Sequence, residues 1–572
     1  MPSESSSGKP TSAGDIGRFL AELDRSRRRF AETSVRERIS LAQRCADGVV
    51  AVAGEWVDLA CEAKAIPPGS PTRAEEVFVG PVATLRYLRL LTHSLRGIET
   101  KGIPQLAGKA YTGPDGRLRV PLLPTGVLYD RIAFLPFRVT AWMRDGVRIE
   151  NLDEHLAVHY RGEAKSPARK PAKITVVLGA GNVSAIPLTD TFTKMFHEGS
   201  VVLLKLSPVN DYLGSVFERA MQPLIEAGYL RIAYGAAETG AEAVNHPLVD
   251  EVHITGSIQS HDAIVWGPPG VERDQRKLTN RPLLDKTVTS ELGNVSPWIF
   301  IPGGYSKRQL AFQAENVAAS IVNNVSFNCV ATKVIITWKQ WPLRAEFLDR
   351  VDRSLARTPK RFSYYPGAVD RFRRYSGIEP PANSGGYLPW TLLRDVPPDD
   401  NPHLLGEESF VCVAAEVALD APTPEAFLGK AVEFANERLA GTLCAAVTHP
   451  AGYRSSKANE SLLQSCLGNL RYNAIAINHW PGLMYAMMSP PWGGFSGSTL
   501  ADAQSGIGAV HNTFLLEGIE KSVLEGPVTF FPKPPWFPTH AGAERVAWAY
   551  FHLYRRPAWA NVARLLIASL RG

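Results

Sequence analysis

Four short apolar runs constrain this chain more than any other feature. They are Ile174-Thr175-Val176-Val177-Leu178, Val201-Val202-Leu203-Leu204-Lys205, Leu230-Arg231-Ile232-Ala233-Tyr234 and Val249-Asp250-Glu251-Val252-His253-Ile254. A strand with one wet face alternates apolar and polar residues, whereas a strand buried on both faces does not. Helical patterns over 186–198 and 212–227 separate the first three runs, and Gly199 and Gly228 close those helices. Repeated βα units of this kind predict an α/β fold with a doubly wound parallel sheet. On such sheets ligands bind beyond the carboxyl ends of the strands.

A second α/β region begins near Ser296. Apolar segments over 298–301, 334–337, 411–417 and 443–447 alternate with helical stretches over 310–323, 344–357 and 423–436. They predict a second open sheet, and Cys329 falls inside it. The division expected from these patterns has five parts. Residues 1–14 form a disordered tail, and 15–295 a dinucleotide-binding domain with an irregular hairpin insertion at 104–170. Residues 296–490 form a catalytic α/β domain, 491–540 a return and oligomerisation segment, and 541–572 a helical tail.

At 572 residues the chain can bury a large core in two or three domains. A net charge of +6 spread over that length gives no argument for nucleic acid. The six cysteines are scattered without C-x-x-C spacing, which argues against a disulfide framework or a zinc site and for a reducing compartment. No metal site is expected. The polar start lacks the apolar core of a signal peptide, and no run of 18 apolar residues exists. A cytoplasmic protein is expected.

Three segments carry chemistry. Cys329 lies in Asn323-Asn324-Val325-Ser326-Phe327-Asn328-Cys329, Glu291 in Glu291-Leu292-Gly293-Asn294, and Asn182 in Gly181-Asn182-Val183. In this order, separated by βα units, they resemble the aldehyde dehydrogenase superfamily. The resemblance spans about Asp15 to Val523, with 104–170 poorly matched. It implies a Rossmann-type doubly wound domain, a second α/β catalytic domain, and an oligomerisation hairpin and strand, here residues 512–523, joining a homodimer or homotetramer.

It also implies roles. Oxidising an aldehyde requires its carbon to become tetrahedral before hydride can leave. A thiolate supplies that addition, a donor stabilises the resulting oxyanion, and a carboxylate activates the water that cleaves the thioester. Cys329 takes the first role, Asn182 the second and Glu291 the third. The other five cysteines read as buried, inert thiols. The chain departs from the family pattern in several places: Asn294 replaces a glycine, His261 another, and Thr191 stands where a relay lysine is common, with Lys194 one turn on. Asn294 is expected to exploit its tolerance of left-handed backbone.

The resemblance extends to a cofactor site for NAD or NADP. Lys205, Ser207 and Pro208 match the segment that holds the adenosine ribose. Pro208 replaces the carboxylate that would repel a 2′-phosphate, so NADP should at least be tolerated. Thr255-Gly256-Ser257 places a helix N-terminus at the pyrophosphate. Gly235 and Gly240 match a glycine pair beside it. Leu292, Glu408 and Phe410 complete the set, with Glu408 on the nicotinamide ribose.

Trp480, Met484 and Tyr485 precede Pro491-Trp492-Gly493-Gly494 and suit an apolar aldehyde. The basic, aromatic stretch 545–566 is a candidate for peripheral membrane contact. Two other readings are open. One is a coenzyme A-acylating dehydrogenase or fatty acyl-CoA reductase, in which a second thiol takes the acyl group. The other is a catalytically reduced scaffold.

Overall fold

The structure, a computed structural model, describes residues 9–161, 170–381, 383–399 and 402–571. Most of the tail assigned to 1–14, and residues 162–169 of the 104–170 insertion, lie outside the described residues. The first helix is Ala13–Glu32, capped by the Ser12 side chain. The second, Val35–Ala63, opens with a capping box between Ser34 and Glu37. Gly48 lets this helix cross Gly214–Ala220 closely: a Cβ there would meet the Ala220 carbonyl oxygen at 2.3 Å.

The four apolar runs are adjacent strands. One sheet has the order Gly506–Ile507, Thr287–Glu291, Glu251–Thr255, Ile174–Leu178, Val201–Lys205, Leu230–Ala233. All neighbours are parallel except the first pair. Strand Val201–Lys205 is buried throughout, as the lack of alternation requires. Each large apolar side chain buried there contributes roughly 1.5–3 kcal/mol of transfer free energy. Chain order reverses between Ile174–Leu178 and Glu251–Thr255. The crevice beyond their carboxyl ends is therefore the expected place for a ligand.

The second sheet has ten strands: Tyr111–Thr112, Leu118–Leu123, Arg138–Met143, Ile519–Glu525, Ala474–Ile477, Cys444–Thr448, Ser296–Phe300, Thr332–Trp338, Val413–Leu419 and Thr391–Leu393. Two expectations change here. The hairpin within 104–170 joins this sheet, not the dinucleotide-binding one, because Arg138–Met143 pairs antiparallel with Ile519–Glu525. The strand placed at 512–523 for joining subunits runs Ile519–Glu525 instead. Its other edge is taken by Ala474–Ile477 of the same chain. Both of its ladders are thus satisfied within one chain, and the edges of the sheet are Tyr111–Thr112 and Thr391–Leu393.

Glu291 ends the last parallel strand of the first sheet, and Ser296–Phe300 opens the second sheet five residues later. Thr332–Trp338, which follows Cys329, pairs with Ser296–Phe300, with Thr332 opposite Ser296. This crossing between sheets brings positions 291 and 329 together.

Candidate active site

Cys329 follows helix Lys307–Val322 and a tight turn, Asn323–Ser326. Asn324, Val325 and Ser326 all have positive φ, at 48°, 57° and 65°. A β-branched residue in that region is strained and persists only where its surroundings over-determine it. The surroundings are a buried polar network. Asn324 Nδ2 donates to the Asn182 and Phe327 carbonyls, both at 2.9 Å. Asn324 Oδ1 accepts from Lys64 Nζ at 3.1 Å and from the Tyr364 hydroxyl at 3.0 Å. Lys64 also pairs with buried Glu76 at 2.8 Å.

The thiol points at the carboxylate. Cys329 Sγ donates to Glu291 Oε1 at 3.4 Å, and Trp492 Nε1 donates to the same oxygen at 3.2 Å. Glu291 is 3% exposed, and its Oε2 is buried with no partner. Burial, then the charge of Asp190, pushes the Glu291 carboxyl up to about 8. Burial, with Glu291 next, pushes the Cys329 thiol well above its ordinary range. Both groups are therefore held toward their neutral forms, and the thiol keeps its proton, directed at the carboxyl oxygen, even where the carboxylate is charged.

Asn182 follows strand Ile174–Leu178. Its side-chain amide donates to the Phe327 carbonyl at 3.1 Å, which leaves one N–H for the cavity it lines. It touches the cysteine loop and not the sulfur.

Two cavities meet at this point, and Ile186 and Cys329 line both. The larger, about 1090 Å³, is walled by Asn182, Lys205, Ser207, Pro208, Gly240, Thr255, Gly256, Ser257, Glu291, Leu292, Glu408 and Phe410. Ser257 caps the helix Ile258–Val265 there. Two observations fit a dinucleotide. Glu408 Oε1 is buried without a partner, and a Cβ on Gly293 would meet Glu408 Oε2 at 2.4 Å, so the wall is cut close around that carboxylate. Burial pushes Glu408 up to about 7, opposed by Lys333, which burial in turn lowers to about 8.

The smaller cavity, about 400 Å³, is apolar. Val183, Ile186, Trp480, Tyr485, Phe134 and Phe137 are among its lining residues.

Some expected residues fall elsewhere. Gly235 does not line the cavity; its φ of 128° serves a turn whose added Cβ would meet Thr239 Oγ1 at 2.3 Å. Met484 is fully buried in the core, one helical position away from the lining residues Leu483 and Tyr485. Asn294 lies outside the left-handed region. Its amide bridges Ser296 Oγ at 2.8 Å and the Cys444 carbonyl at 2.9 Å, so it is a bracket between strands. Lys194 is paired with Glu251 at 2.8 Å under the sheet. Thr191 donates to the Pro187 carbonyl at 2.7 Å inside its helix. His261 is packed inward beside Asp262.

Lys64, Tyr364 and Asp190 have no signal in the sequence. Lys64 is 260 residues from Asn324 and sits in a helical, basic stretch. Asn324 belongs to a visible asparagine-rich loop, but its role as a four-way anchor needs the folded chain.

Solved structures share this architecture. An NAD-dependent aldehyde dehydrogenase from Sinorhizobium meliloti is 16% identical, with a TM-score of 0.58 over 92% of this chain and 89% of that one. An aldehyde dehydrogenase from Mycobacterium tuberculosis, complexed with NAD+, is 16% identical, with a TM-score of 0.59 over 91% and 92%. A glyceraldehyde-3-phosphate dehydrogenase from Methanocaldococcus jannaschii, complexed with NADP, is 12% identical, with a TM-score of 0.59 over 90% and 95%. The chain has the aldehyde dehydrogenase fold. No protein-family model and no curated protein matches the sequence.

Proposed function

We propose that this protein oxidises an apolar aldehyde to a carboxylic acid with NAD or NADP, using Cys329 as nucleophile. The observation that carries this reading is the contact of Cys329 Sγ with Glu291 Oε1, 3.4 Å, where an apolar cavity meets a large polar one. In this reading residues 15–295 bind the dinucleotide, 296–490 carry the thiol, and 491–540 return across both sheets.

Glu291 takes the thiol proton as sulfur adds to the aldehyde carbon. The second N–H of Asn182 and the Cys329 backbone N–H would donate to the developing oxyanion. A bound nicotinamide dinucleotide supplies the acceptor for the hydride that leaves this carbon. Lys205, Ser207 and the helix start at Ser257 would hold its adenosine and phosphates, and Glu408 its second ribose. A thioester on Cys329 is left. Once the proton taken from the thiol has passed to solvent, Glu291 Oε2, which has no partner, accepts a proton from water as the water attacks, and the sulfur leaves with a proton as the acid is released. The Trp492 N–H keeps the carboxylate aimed at the sulfur. That free acceptor favours water over coenzyme A as acyl acceptor.

The test follows reduced nicotinamide by absorbance, with a medium-chain aldehyde, either dinucleotide, and coenzyme A present or absent. Turnover without coenzyme A, lost in Cys329→Ala, is expected. Turnover by Cys329→Ala at the parent rate would remove the proposal, and a strict need for coenzyme A would transfer it to the acylating class.

A further inference from the structure

The apolar cavity opens toward an uncovered greasy face. Ala133, Phe134 and Phe137 line it, while Leu135 between them is 70% exposed. Phe530 packs on Phe137 with ring centroids 5.3 Å apart, and its neighbour Phe531 is 72% exposed. Helix Leu128–Ala133 packs under helices Ala543–Arg555 and Trp559–Leu570 through Ile132, Ala133, Val562 and Leu565. The last helix is apolar on two sides. Val562, Leu565 and Ala568 face inward, whereas Trp559, Leu566, Ile567 and Leu570 form an exposed stripe at helical spacing.

The charge around the stripe points to its occupant. Arg564 and Arg571 follow the stripe by about one side-chain step around the helix, and Arg555 and Arg556 lie just before it. All four are exposed, and among the described residues none makes an ion pair with an acid. Glu544, the one acid of residues 541–571, is engaged by Arg73 at 3.1 Å. Two copies meeting through this face would bring like charges together. An anionic lipid surface accepts both the apolar stripe and the arginines, whose stems can lie along the hydrocarbon while the guanidinium groups reach phosphate. No helix among the described residues is long and apolar enough to cross a membrane, so contact would be at the surface.

We infer that the face formed by Leu135, Phe531 and helix Trp559–Leu570 docks on an anionic lipid surface, with the cavity mouth presented to it. The inference rests on the aldehyde reading for its substrate class: a long-chain aldehyde partitioned in the bilayer would enter from the membrane side and reach Cys329 without crossing water.

The experiment sediments the full chain with phosphatidylcholine vesicles, with and without phosphatidylglycerol. Binding to the anionic vesicles, weakened by salt, is expected. Trp559→Ser/Ile567→Ser/Leu570→Ser should abolish it, and Arg564→Gln/Arg571→Gln should weaken it roughly 30-fold. Unchanged melting temperatures and unchanged turnover of a short, water-soluble aldehyde confirm that both variants fold. Equal pelleting of parent and triple variant would overturn the inference. So would a concentration-dependent dimer, seen in sedimentation velocity and lost in the triple variant. Vesicle binding with no aldehyde turnover in the parent would leave this surface standing and remove the oxidation reading alone.

Discussion

At the scale of single residues, the site is a thiol hydrogen-bonded to a carboxyl, two groups that burial has made poor ions. A carboxyl raised to about 8 is protonated at neutral pH for much of the time, so deacylation should rise with pH through about 8 and level off above it. Glu291→Gln should still acylate, giving a burst of reduced nicotinamide, but release product about 100-fold more slowly. Stopped-flow absorbance separates the two phases, and a steady state at the parent rate would remove the base role. The stability sign follows from linkage. The folded pKa lies above the unfolded value of 4.5, so the folded chain binds more protons between pH 4.5 and about 8. Stability attributable to this group is complete below 4.5 and declines as pH rises through that window, by on the order of 5 kcal/mol. Melting curves across that range should show Glu291→Gln gaining on the parent as pH increases. Pro208 carries a separate prediction. Pro208→Glu places a carboxylate in the cavity wall beside Lys205, and kcat/KM for NADP should drop about tenfold or more relative to NAD.

At the scale of elements, the cysteine loop depends on partners from three distant stretches. Three successive left-handed residues are stable only because Lys64, Asn182 and Tyr364 converge on Asn324. Lys64→Met leaves Glu76 buried without its cation. The expected loss is about 3–5 kcal/mol in urea unfolding, with kcat reduced as the loop relaxes away from Glu291. A variant of parent stability would show that the ion pair contributes nothing to anchoring. Asn294 has a related function. It ties the segment that leaves the Glu291 strand to Ser296 and Cys444 on two neighbouring strands of the second sheet.

At the scale of the whole molecule, strand Ile519–Glu525 ties the hairpin to the sheet that carries the thiol. The Ser522 N–H donates to the Asn473 carbonyl at 2.7 Å, where that strand begins its pairing with Ala474–Ile477. Ser522→Pro removes the donor and should cost about 3 kcal/mol or more. Calorimetry should show a lower melting temperature with hairpin and sheet still melting together. Two separated transitions would mean that the strand does not couple them.

What the sequence determined by itself was local. Unalternated apolar runs specify buried parallel strands because backbone pairing and burial on both faces depend on residues that lie together in the chain. The strand Ile174–Leu178, the cap at Ser257 and the neighbourhoods of Cys329 and Glu291 are legible for that reason. The tertiary structure decided whatever depends on which strands become neighbours. Gly235 matches as one of a glycine pair and Met484 as part of an apolar cluster, yet the fold puts them in a turn and in the core. Lys64 reaches the cysteine loop across 260 residues, and the hairpin crosses to the other sheet. Hydrogen-bond and packing energies act over a few ångströms, so no spacing in the chain encodes such meetings until the two sheets have closed on each other.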